Sequence, residues 1–87
     1  MAEKRVTYFV VLPFTRGNKG HMVADQPLEL PTAEAAVRRA RRIAEAGGAG
    51  LAFSRSGDPA SGEWDDAVIL AECGAVPEEA VAGVEAA

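Results

Sequence analysis

Nine consecutive residues, Val6 to Phe14, read VTYFVVLPF and constrain the fold more than any other stretch of the chain. β-Branched and aromatic side chains suit the pleated surface of a strand, where successive residues point to opposite sides. Val6, Tyr8, Val10, Leu12 and Phe14 then share one side, with Phe9 and Val11 on the other. A strand that is apolar on both sides is normally covered above and below, which places this segment in the middle of a sheet. One covering layer does not satisfy it.

TRGNKG, Thr15 to Gly20, carries the Gly and Asn chemistry of a turn with positive φ, so HMVAD and then PLEL are expected to return as a second strand. Pro27 and the mixed polarity put that strand at an edge. PTAEAAVRRARRIAEAGG states a helix: Thr32 as N-cap, Glu34 in the first turn and Gly47 where the chain leaves it. Ala35 at the N3 position denies it a capping box. Ala33, Ala36, Val37, Ala40, Ile43 and Ala44 recur at helical spacing as a stripe of mostly small side chains, which allows close approach to a sheet. AGLAFSRS from about Ala49 and DDAVILAEC supply a third and a fourth strand. In the latter, Ala67, Ile69, Ala71 and Cys73 are expected on one side, against Val68 and Leu70. After Gly74 the chain is rich in Ala and Glu. Pro77 and two acids mark a helix start that Gly83 weakens.

The resulting expectation is an α+β fold in the order β-β-α-β-β. A four-stranded antiparallel sheet, ordered 2-1-3-4, carries one main helix on one face. Residues 1–76 form a single compact domain and residues 77–87 a C-terminal segment, either a short helix or a frayed tail. The sheet's other face needs cover from that segment or from a second copy of the chain, because a large bare apolar patch is unusual on a soluble monomer. A homodimer is expected on this ground.

Composition fits a packed domain, with 48% apolar and 25% charged residues among 87. A chain this short buries only about two-thirds of its unfolded surface, so its stability margin is modest. The lone cysteine, Cys73, rules out an internal disulfide and a cysteine-based zinc site and fits a reducing compartment. KRVTYFVVLPF imitates a signal peptide, but Thr7 and Pro13 interrupt it and no small-residue cleavage site follows. With no apolar run near the roughly 20 residues that span a bilayer, a cytoplasmic location is expected. The charge is lopsided: residues 1–44 hold eight Lys or Arg against four Asp or Glu, and residues 45–87 hold one against nine. The halves attract one another, within one fold or across subunits, while the net charge of −4 argues against broad nucleic-acid affinity.

Catalytic and ligand motifs are weak. SRSGDPASGEWDD, Ser54 to Asp66, crowds turn formers beside Asp58, Glu63, Asp65 and Asp66, but lacks the alternating ligands and distal Glu of a calcium loop. It reads as a hairpin loop with Trp64 packing down at the strand's start. Ser54, Ser56 and Ser61 need a base, and His21, the single histidine, belongs to the hairpin at the other edge of the sheet. Cys73 reads as a small buried hydrophobe, since no basic neighbour activates it. RGNKG and GGAG match neither the dinucleotide fingerprint nor the nucleotide loop. No catalytic, cofactor or metal residue is therefore assigned, and none of these groups is expected to make the chain an enzyme.

The strongest chemical feature is RRARR. Arg38, Arg39, Arg41 and Arg42 occupy the side of the helix away from the apolar stripe and are the candidate partner-binding residues. Glu34 and Arg38, and Arg41 and Glu45, stand four apart, where opposite charges support a helix. The order YFVVLPF, PTAEAAVRRARRIA, GLAFSRSGDPASGEWDDAVILAECGAVPE resembles short proteobacterial proteins of unknown function over roughly residues 6 to 79. That resemblance is one of general pattern, and it implies no activity and no site residue. The expected role is a non-enzymatic, self-associating protein-interaction module. The alternative is a nucleic-acid-binding accessory protein that uses the four arginines.

Overall fold

The computed structural model describes residues 5–86 and shows an α+β architecture: a curled antiparallel sheet with two helices. In chain order the elements are β1 (Val6–Arg16), a 3-10 turn (Asn18–Gly20), β2 (Met22–Ala24), β3 (Leu28–Leu30), α1 (Ala33–Glu45), β4 (Ala49–Asp58), β5 (Glu63–Trp64), β6 (Val68–Cys73) and α2 (Glu78–Ala86). β1 is central, as its two apolar sides require. It pairs with β2 and β3 along one edge and with β4 along the other, and β4 in turn pairs with β5 and β6. If β2 with β3, and β5 with β6, are each taken as one interrupted strand, the order is the expected 2-1-3-4.

The second and fourth strands are each broken in two. Residues 25–27 leave the ladder at Pro27, which has no N–H to give, although Asp25 N–H still donates to the carbonyl of Pro13 at 2.8 Å. β1 runs two residues past Phe14, and the turn that follows takes its positive φ at Lys19 and Gly20, not at Asn18. In β6 the expected alternation fails. Ala52 pairs with Ala71 but Phe53 pairs with Ile69, leaving Leu70 as the extra residue of a β-bulge. Leu70 and Ala71 consequently both pack against the core beneath α1, with Cys73, while Ile69 turns to the other face beside Phe53.

α1 forms as its caps dictate. Thr32 Oγ1 accepts from Ala35 N–H at 3.0 Å. At the far end Gly48 N–H donates to the Ile43 carbonyl and Gly47 N–H to that of Ala44, with Gly47 at φ +101°. This is the paired arrangement that a left-handed glycine allows. The small-residue stripe faces the sheet: Ala36 and Ala40 are fully buried with Val11 and Ala52, and Val37 and Ile43 flank them. Gly50 makes the seat close, since a β-carbon there lies only 2.6 Å from Ala40 Cα. Burial of Val11 and Leu51, the largest fully buried side chains, stabilises the fold by about 2 kcal/mol each.

The face away from α1 is unevenly covered. Phe14 and Leu51 lie on it and are 2% and 0% exposed, whereas Tyr8 and Trp64, toward the other end, are 37% and 39% exposed. Loop residues 25–27 and 59–62 are exposed and α1 lies on the opposite side. In the C-terminal segment Val76, Pro77, Ala80, Val81 and Val84 are half-buried. Gly83 does not interrupt α2, which runs to Ala86.

Candidate functional site

The stretch from Ser54 to Asp66 is mostly a hairpin. β4 continues through Ser54, Ser56 and Asp58, the chain turns over residues 59–62, and β5 returns with Trp64 opposite Gly57. Asp58 organises the turn: its Oδ1 accepts from Ala60 N–H at 2.9 Å and its carbonyl from Gly62 N–H at 2.8 Å. Asp65 instead pairs with Arg5, Nη2 to Oδ2 at 2.5 Å, and Glu63 and Asp66 are exposed. Among the described residues no three His, Cys, Asp or Glu side chains gather where they could hold a metal ion.

The serines and the histidine stay apart. Ser56 Oγ lies 2.8 Å from Thr7 Oγ1, across the β1–β4 ladder. His21 precedes β2, at the opposite edge of the sheet and at the other end of β1, and its carbonyl accepts from Gly17 N–H at 2.6 Å. Among the described residues no Ser–His unit is assembled. Cys73 is half-buried and packs against the core cluster.

What the fold does bring together is an aromatic platform that sequence reasoning did not connect. Tyr8 on β1 and Trp64 on β5 lie with ring centroids 5.8 Å apart and planes tilted by 30°. Such pairs contribute about 0.5–1.5 kcal/mol beyond the area they bury. The indole sits over Gly57, where a β-carbon stands 2.5 Å from its Cε3. With Val10, Phe53 and Arg55, these two rings line a shallow depression of about 330 Å³ on the face away from α1. The signal was present as Gly57 seven residues before Trp64. Turning it into a contact requires the length of the turn and the β4–β5 register.

Arg38, Arg39, Arg41 and Arg42 are all exposed; Arg38 and Arg42 project away from the buried stripe as expected, whereas Arg39 and Arg41 flank it, lining depressions with Ile43 and with Ala33 and Val37 respectively. Neither Glu34 with Arg38 nor Arg41 with Glu45 closes into an ion pair; among the described residues Arg5–Asp65 is the pair within 4 Å. Two depressions flank Arg38. One is lined by Ala33, Glu34, Val37, Arg38 and Arg41, and the other by Leu30, Ala35, Arg38, Arg39 and Arg42.

No family model, curated protein or solved structure matches the chain. Among the described residues no helix is long and apolar enough to cross a membrane.

Proposed function

We propose that the protein is a non-enzymatic module that self-associates, and that the contact is the sheet face carrying Tyr8, Val10, Phe53 and Trp64. The observation that supports this reading is the uneven cover of that face. Phe14 and Leu51 are closed off within the chain, while two large aromatic side chains remain more than one-third exposed beside two half-buried apolar ones. Exposed apolar surface of this kind marks interaction sites, and Tyr and Trp are the residue types that most often dominate contact energy. A second copy suits the surface because it is a sheet face. Two like faces stack about 10 Å apart with their side chains interleaved, which gives a closed, two-fold contact. The four arginines lie on the other side of the molecule and take no part in it.

Light scattering coupled to size exclusion, run over a dilution series, tests the reading. Twice the chain mass is expected at high concentration, falling toward one chain on dilution. A single-chain mass at every concentration refutes self-association.

A further inference from the structure

The depression between α1 and β3 measures about 180 Å³, and its charged lining residues are three arginines, Arg38, Arg39 and Arg42. Leu30 and Ala35 complete the wall, so no carboxylate lines it. Glu34 lines the neighbouring depression with Arg38 and Arg41, and Asp25 lines a further one with Arg39. None of the three arginines has an ion-pair partner among the described residues. Like charges held together repel, and the repulsion is relieved when an anion enters. The planar fork of a guanidinium donates two parallel N–H bonds to a phosphate. The volume falls below the roughly 300 Å³ at which pockets begin to hold drug-sized molecules, and so suits a phosphoryl group better than a whole nucleotide.

We propose that Arg38, Arg39 and Arg42, with Leu30 as a floor, form a binding site for a phosphate group. The same chemistry is offered by a free phosphate or phosphomonoester and by the phosphodiester backbone of a nucleic acid. Arg41 is outside the site, although it belongs to the same run of arginines.

The test is an NMR titration of the full chain at low ionic strength, where screening is weakest. Inorganic phosphate and a short single-stranded oligonucleotide are added in separate experiments while the arginine Nε–Hε resonances are followed. The resonances of Arg38, Arg39 and Arg42 are expected to move together, with that of Arg41 unmoved. Saturation by inorganic phosphate identifies a small-phosphate site, and a response to the oligonucleotide alone identifies a backbone site; either supports the proposal. Arg38→Gln with Arg42→Gln should weaken binding by about tenfold or more, the loss expected for removing two charge-assisted contacts. Arg41→Gln should change it by no more than about twofold, within the small general effect of one surface charge. No movement with either probe, or an equal loss in Arg41→Gln, overturns the site. Self-association is unaffected by either outcome, because its surface lies on the opposite face.

Discussion

Gly50 sets how near α1 can come to the sheet. A β-carbon at this position meets Ala40 at 2.6 Å from Cα, 2.8 Å from the carbonyl oxygen and 2.9 Å from Cβ. Two of these are backbone atoms, so no change of rotamer relieves the clash. Gly50→Ala is therefore expected to cost about 1–3 kcal/mol, the usual penalty of overpacking a filled core. Urea denaturation would register this as a lower midpoint with an unchanged slope; an unchanged midpoint means that α1 is not seated on that atom. In the sequence Gly50 looks like part of a helix-ending, strand-starting GGAG. That it faces Ala40 depends on the β1–β4 register, which pairs it with Pro13. Small residues were legible in the α1 stripe, whereas their complement on the strand was not.

At the scale of elements, the ends of the helices are where local chemistry speaks most directly. Thr32 caps α1 through its hydroxyl, and Thr32→Ala should lose about 1 kcal/mol, seen as a fall in Tm of about 5 °C. Gly83 lies within α2, is exposed, and has nothing within 4 Å of a β-carbon placed there. Gly83→Ala should accordingly raise helix stability by about 1 kcal/mol, because it reduces the entropy lost on folding without a clash. A calorimetric Tm that does not rise would place α2 outside the cooperative unit that melts. β6 shows the limit of reading by alternation. VILAEC looks uniform, yet the bulge at Leu70 sends Ile69 and Ala71 to opposite faces. A bulge is chosen by how the strand fits its neighbour and the helix above it, so its position is not written in a run of similar apolar residues.

For the whole molecule, the arrangement separates two surfaces: a basic one on α1 and an aromatic one across the sheet. Trp64→Glu puts a charge into the aromatic surface at a residue already 39% exposed, so it should abolish the proposed self-association while leaving the far-UV circular dichroism spectrum unchanged. A variant that still elutes at twice the chain mass would move the contact elsewhere. Arg38→Glu with Arg42→Glu should leave both the fold and self-association intact, because these side chains are exposed, outside the core cluster and away from the aromatic face. Circular dichroism and light scattering of the double variant check this. A lost spectrum would contradict the orientation of α1.

By itself the sequence determined what depends on neighbours along the chain: where α1 starts and stops, which of its sides is buried, that β1 is central, and that a hairpin turn falls within Ser54–Asp66. Capping, helical spacing and two-sided apolarity are local properties, and they survive without knowledge of the rest. Tertiary structure alone decided the bulge in β6, the breaks in the second and fourth strands, and the meeting of Tyr8 with Trp64. Each of these joins residues far apart in sequence or depends on strand register, and register is set by the packing of the entire sheet against its helix.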